Sequence, residues 1–155
     1  SDTGITTAIT GYELVYYSPT AGTIEMWVKR SSVADGLVTY LAYGNSALNS
    51  DASSTTTWSN SFLGVYHLAD GTALNTNSST GSNNGTNHGV TATTGKIDGA
   101  GGFASASSQY IDLGNTIIPA AMTYSAWANA TSFPNAINSV LVRVNVGTIH
   151  TFKSW

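Results

Sequence analysis

The chain arranges apolar and polar residues in short alternating runs, and turns that contain glycine or proline separate these runs. The two clearest runs cover residues 12–17 and 23–29, on either side of a loop, residues 18–22, with the sequence SPTAG. Successive side chains of a strand point to opposite faces, so this alternation predicts two strands. The short loop between them predicts that the strands form a β-hairpin.

The length of the loop sets the register of this hairpin, and a slip of one residue exchanges its two faces. A loop of residues 18–22 places Tyr17 opposite Thr23 and Glu13 opposite Trp27. The expected core face consists of Leu14, Tyr16, Ile24, Met26 and Val28. The other face carries Glu13, Val15, Tyr17, Glu25, Trp27 and Lys29. On that face, Tyr17 and Trp27 are candidates for stacking on a sugar ring, the alternative being that a neighbouring module covers them.

The remaining strand-like runs predict further strands, and no stretch of useful length shows the helical period of 3.6 residues. These predicted strands cover residues 38–44, 62–68, 109–113, 122–129, 140–145 and 148–153. The apolar run 62–68 is expected to be buried on both sides, and Tyr124 and Trp127 are expected in the core. Short strands with glycine-rich turns predict an all-β fold, specifically an antiparallel β-sandwich.

A polar loop between two of these strands is the strongest candidate for a binding site. Residues 77–89 have the sequence NSSTGSNNGTNHG, which combines turn-forming glycine with amide and hydroxyl side chains. Such residues give a loop defined turns without a core of its own. Closely spaced oxygens suit a sugar hydroxyl or a calcium ion, so the candidate ligand-binding residues are Asn77, Asn83, Asn84 and Asn87.

Composition and charge narrow the classes of function. Charged residues make up 8% of the 155-residue chain, and Ser, Thr, Asn and Gly together make up close to half of it. An average soluble domain carries about 25% charged residues, so hydroxyls and amides must supply solubility, as in an extracellular protein. The five basic residues are scattered and the net charge is −3, so no stripe predicts nucleic-acid binding.

Membrane insertion is not expected, because no apolar run approaches the roughly 20 residues that cross a bilayer. The chain contains no cysteine, which excludes disulfides and thiolate sites. This absence favours a bacterial, archaeal or viral surface protein over a small secreted animal domain. The expected location is therefore extracellular or at a cell surface, with any secretion signal outside this chain.

Five blocks, in order and spacing, resemble the first half of a LamG-type domain of the concanavalin A-like lectin/glucanase superfamily: FLGVYHLADG, NSSTGSNNGT, TTGKIDGAGGF, SSQYIDLGN and MTYSAWANA. The segments GTIEMWVK and YLAYGN resemble the end of a domain of unknown function that often precedes such modules in bacterial surface proteins. We therefore expect the end of a small β-module at 1–50, a linker at 51–61 and a partial LamG-like sandwich at 62–155.

The resemblance implies a jelly roll of two antiparallel sheets, incomplete at both ends of this chain. It implies binding of carbohydrate or a surface protein, and often a calcium ion at the rim, with Asp70 and Asn77 as the candidate metal ligands. The family commonly has aspartate where this loop begins at Asn77 and after the Phe that precedes Ala104. A neutral amide is a poorer ligand for a hard cation, so calcium stays an open alternative to no cofactor.

Catalytic residues are not expected in this chain. His67, His88 and His150 lack the spacing of a zinc site. Glycoside hydrolysis needs two carboxylates roughly 5 to 10 Å apart, and the acidic residues of the second half, Asp70, Asp98 and Asp112, are isolated. The sequence therefore predicts a non-enzymatic module that recognises glycans or a surface partner through rim loops. The alternative is a building block or spacer of a surface fibre, adhesin or phage appendage that self-associates through unpaired strand edges.

Overall fold

The computed structural model describes residues 11–43, 50–69, 74, 76–114, 121–131, 139–145 and 148–154, the last two ranges by their backbone. The described residues form antiparallel strands and two short 3₁₀ turns, Thr55–Trp58 and Ser105–Ser107, and contain no α-helix. The strands are β1 Tyr12–Ser18, β2 Thr23–Val28, β3 Thr86–His88, β4 Thr91–Thr94, β5 Gly99–Gly102, β6 Tyr110–Asp112, β7 Ser139–Asn145 and β8 Thr148–Ser154. The all-β, antiparallel prediction is therefore confirmed.

The chain divides into two compact units, Ser1–Ser59 and Asn60–Trp155. The first unit contains the hairpin β1–β2, and the second contains β3 to β8. The assignment of residues 1–50, 51–61 and 62–155 to a small β-module, a linker and a LamG-like domain stays a prediction.

The hairpin β1–β2 forms where the sequence predicts it, but its register differs near the turn. Glu13 pairs with Trp27 as expected, whereas Tyr17 pairs with Ile24 and not with Thr23. The pairing shifts between Leu14 and Tyr16, where β1 contains one extra residue. Such a β-bulge accommodates a shorter turn than the five-residue loop that the sequence predicts.

The bulge exchanges the faces of the two neighbouring tyrosines. Directly opposite residues of an antiparallel pair share a face, so Tyr17 lies on the face of Ile24, Leu14 and Met26. Tyr16 pairs with Glu25 and joins the other face. The expectation that Tyr17 shares a face with Trp27 was therefore wrong, as was the expectation that Tyr16 and Ile24 are buried, since they are 47% and 40% exposed.

A short segment after the hairpin packs on it. The indole N–H of Trp58 donates a 2.5 Å hydrogen bond to Glu13, and the Trp58 ring meets Trp27 edge-on at a centroid distance of 5.3 Å. Ser54 N–H donates to the Tyr12 carbonyl, and Leu14 N–H donates to Ser53 Oγ. The outer edge of β1 is therefore occupied by residues 53 and 54.

Three strand predictions were wrong within the described residues. Residues 38–43, 62–68 and 122–129 are irregular. The first and last of these runs are exposed, with Tyr40 at 72% and Trp127 at 71%, so Trp127 is not a core residue. An alternating pattern gives a strand its two faces, but a strand also needs a neighbouring backbone, and no strand among the described residues pairs with these three runs.

The second unit contains two antiparallel sheets. One has the strand order β3-β6-β8-β7, and the other is β4-β5. The buried apolar side chains of the described residues are Val90, Ile111 and Leu113, packed against Tyr66, Leu68, Leu74, Phe103 and Met122. The predicted strands 109–113, 140–145 and 148–153 are confirmed, as β6, β7 and β8. This core lies directly beneath the predicted polar loop.

Candidate functional site

The polar loop, extended here by one residue at each end to residues 76–90, is closed at its neck by one pair of residues. Gly85 N–H donates to the Thr76 carbonyl at 2.8 Å, and Thr76 Oγ1 donates to the Gly85 carbonyl at 2.7 Å. A Cβ on Gly85 would lie 2.9 Å from Ile111 Cγ2, so glycine lets the neck rest against the core. The neck therefore ties the loop to the buried residues below it.

Ser78 organises the first half of the loop from a buried position, at 5% exposure. Its hydroxyl oxygen accepts from the backbone N–H groups of Val65 at 3.0 Å and Thr80 at 3.3 Å. Ser79 N–H donates to the Val65 carbonyl at 2.8 Å. Residues 63–65 thus bond to the polar loop and not to a strand, which explains why the apolar run 62–68 does not form one.

Tyr66 links the same run to the tip of the loop. Its hydroxyl donates to the Asn83 carbonyl, and the Asn83 amide donates to the Leu63 carbonyl at 2.7 Å. Burial raises the pKa of the Tyr66 phenol above its ordinary value of 10.0, and a hydrogen bond with Ser78 opposes this rise. Asn83 adopts a φ of 58°, the left-handed conformation that asparagine tolerates better than most residues.

The amide groups of three of the predicted ligand-binding asparagines, Asn83, Asn84 and Asn87, bond to the chain itself. Asn84 Oδ1 accepts from Ser78 N–H at 3.0 Å. Asn87 bonds Val90 twice, since its Oδ1 accepts from the backbone N–H at 2.8 Å and its Nδ2 donates to the carbonyl at 2.9 Å. These residues therefore shape the loop, a role that their short side chains perform in many turns.

His88 is a candidate that the sequence did not single out for binding. It ends β3 opposite Tyr110 of β6, and the two rings stack at a centroid distance of 4.2 Å with 11° between their planes. His88 is exposed, and β3 is an edge strand, so its ring borders the surface. Gln109 fixes the next turn, because its amide donates to the Gly89 carbonyl and accepts from Ala104 N–H. The pairing of β3 with β6 was not readable from three residues inside a polar loop.

The exposed surface of the loop carries several hydrogen-bonding groups on a fixed backbone. Its exposed polar side chains are Asn77, Ser82, Asn84, Thr86, Asn87 and His88. Hydroxyls, amides and an aromatic ring on an ordered backbone can bind a polar, ring-shaped ligand at low entropic cost.

The other predicted site residues lie elsewhere. Trp27 and Tyr17 belong to the first unit, on opposite faces of the hairpin. Asp70 lies outside the described residues, so its predicted pairing with Asn77 stays a prediction. In the described part of the chain, no three His, Cys, Asp or Glu residues form a group that could hold a metal ion. Calcium binding stays a prediction.

Comparison of the chain with protein-family models, curated proteins and solved structures gives no match. Among the described residues, no helix is long and apolar enough to cross a membrane. The resemblance to LamG-type domains thus stays an expectation from sequence blocks, and the function is argued from the site.

Proposed function

We propose that this chain is a non-catalytic extracellular recognition module that binds glycans through the polar loop. The observation that supports the proposal is the order of the loop, which hydrogen bonds among Thr76, Ser78, Asn84 and Gly85 hold beside an exposed ring at His88. A pre-ordered loop loses little conformational freedom on binding, so weak polar contacts suffice for affinity. If the partner is a surface protein and not a glycan, we propose that it binds the same exposed groups of the loop.

The proposal includes the finer fold expected from the resemblance. We propose that the sheets β3-β6-β8-β7 and β4-β5 belong to a jelly-roll sandwich of the LamG type. A calcium ion at Asp70 and Asn77 stays an alternative to no cofactor, and stacking at Trp27 or Tyr17 is a second route to a sugar.

The loop geometry supports our choice of the side chains that we propose as ligand contacts. The amides of Asn83, Asn84 and Asn87 already bond to the chain, so alanine at these positions changes the shape of the loop as well as its surface. Thr86 and His88 are exposed neighbours on β3 whose side chains fall on one face of the strand. We assign ligand contact first to these two residues.

The test is a screen of the chain against immobilised glycans and bacterial surface polysaccharides, followed by calorimetry with any glycan found. His88→Ala is expected to weaken binding about twofold to tenfold, since an aromatic contact contributes about 0.5–1.5 kcal/mol. Lys96→Ala, an exposed change outside the polar loop, is the control and keeps the affinity. Glycan binding that is unaffected at both Thr86 and His88 would assign it to another surface, and no binding to any glycan would refute the proposal.

The second candidate function is a structural building block assembled through strand edges. It is favoured by the first unit, whose β-sheet has only two described strands and whose described residues include no buried apolar side chain. A two-stranded hairpin is marginal in water by itself. Sedimentation of the chain at increasing concentration distinguishes the functions, because a monomer with glycan affinity supports recognition and polymers without affinity support the building block.

A further inference from the structure

The outer edge of β2 carries a row of backbone donors and acceptors that point away from β1. Lys29 N–H donates to the Gly11 carbonyl at 2.7 Å, so the backbone hydrogen-bonding groups of residues 11 and 29 face each other. Pairs in an antiparallel ladder alternate between facing inward and facing outward. The backbone N–H of Leu14 and the carbonyl of Tyr12 bond to residues 53 and 54, so the backbone groups of these two residues face away from β2. Met26 and Val28 pair with Leu14 and Tyr12, so their backbone groups face away from β1.

The two edges of the hairpin differ in what occupies them. Residues 53 and 54 bond to the outer edge of β1 at Tyr12 and Leu14. In the described part of the chain, no backbone bond from outside the hairpin reaches Ile24, Met26 or Val28. A row of unpaired groups on a strand edge accepts another strand.

The side chains along this edge favour a second copy of the same strand. Ile24, Met26 and Val28 share one face of β2, and Ile24 is 40% exposed. In an antiparallel pair centred on Met26, each Ile24 lies opposite Val28 of the other copy, so the apolar row is continuous across the pair. On the opposite face Glu25 lies opposite Trp27 of the second copy, and no like charges are directly opposed.

We propose that two copies of this chain associate through antiparallel pairing of their β2 strands, with Met26 on the two-fold axis. The interface is self-complementary, as a two-fold contact requires. The four-stranded sheet β1-β2-β2-β1 that results pairs the free backbone groups of both β2 edges and brings the two apolar rows into lateral contact. This inference specifies the strand, the register and the partner for the building-block function, and it does not depend on glycan binding.

Engineered cysteines test the register, because the chain has no cysteine of its own. At Met26 the two Cα atoms would lie about 5.5 Å apart, within the range of a disulfide. The Cα atoms of the two Ile24 residues would lie about 14 Å apart, because they are offset by four residues along the paired strands. Met26→Cys is therefore expected to form covalent dimers under mild oxidation, and Ile24→Cys, its matched control, is not. Equal cross-linking of the two variants would overturn the register.

Sedimentation velocity over a range of concentrations tests the interface. Met26→Lys places two ammonium groups opposite each other and is expected to raise the dimer dissociation constant at least about tenfold. Met26→Leu keeps the apolar contact and is expected to match the unaltered chain, and near-UV dichroism of the Trp27–Trp58 pair checks that the hairpin is intact. Assembly that persists in Met26→Lys would refute association through the β2 edge but would still agree with the building-block function. A monomer at all concentrations would overturn both.

Discussion

At the scale of single residues, the asparagines of the polar loop act on the backbone before they act on any ligand. Asn87 bonds Val90 twice, and Asn84 bonds Ser78. Residue type alone suggested ligands, because an amide suits both a sugar and a turn. Hydrogen-bond partners distinguish these two roles, and the partners are set by the folded loop.

Asn87→Ala is expected to lower the free energy of unfolding by about 1–3 kcal/mol. Val90 is 4% exposed, so its N–H and carbonyl lose their partner where water has little access. Urea unfolding followed by dichroism measures the change. Lys96→Ala, at an exposed position, is the control and is expected to stay within about 0.5 kcal/mol of the unaltered chain. Equal effects of the two changes would contradict a structural role for Asn87.

The raised pKa of Tyr66 predicts that the free energy of unfolding falls at alkaline pH. Burial raises its pKa in the folded protein above 10.0, so the stabilisation is fully present below the pKa of the unfolded state and is lost as pH rises through the folded pKa. Tyr66→Phe removes the bond to the Asn83 carbonyl and is expected to cost about 1 kcal/mol at pH 7. The difference between the two proteins is expected to shrink above pH 10 in urea unfolding at a series of pH values. A difference that grows with pH would contradict this assignment.

At the scale of elements, a strand depends on its neighbours as much as on its own pattern. The run 62–68 is apolar enough for a strand, but Val65 bonds to Ser78 and Ser79, and Leu68 has a φ of 54°. Conversely, β5 has the sequence GAGG, which no strand pattern selects, yet it pairs with β4 along its whole length.

The glycines of β5 are expected to differ in their tolerance of a side chain. A Cβ on Gly99 would overlap the Leu68 carbonyl group, whereas a Cβ on Gly102 would lie 3.1 Å from Thr91 Oγ1, which can rotate away. Gly99→Ala is therefore expected to destabilise the second unit by at least about 3 kcal/mol, and Gly102→Ala by about 1 kcal/mol. Thermal unfolding of the two variants gives the comparison. Equal midpoints would contradict the close approach of β5 to residue 68.

At the scale of the whole molecule, the low charge of the chain limits the electrostatic repulsion between its copies. Only 8% of the residues are charged, the net charge is −3 and the sequence pI is about 5.3. Repulsion between molecules is therefore weak at pH 7 and vanishes near the pI. Unpaired strand edges then face little electrostatic opposition.

Solubility is expected to pass through a minimum near pH 5, and light scattering across pH 4 to 8 would measure it. Met26→Lys is the informative variant, because it both adds a positive charge and blocks the proposed β2 edge. The variant is expected to scatter less than the unaltered chain at pH 7, and Met26→Leu to scatter equally. More scattering by Met26→Lys at pH 7 would indicate that net charge, and not the edge, limits association.

The sequence by itself determined the class of fold, the hairpin 12–28 and the strands β6, β7 and β8, because alternation and turn residues act locally along the chain. It also located the polar loop. The tertiary structure alone decided the bulge that moves Tyr17 away from the face of Trp27, the pairing of the glycine strand β5 and the stack of His88 on Tyr110. These features depend on contacts between residues distant in the chain, and no local pattern records which backbone lies beside which.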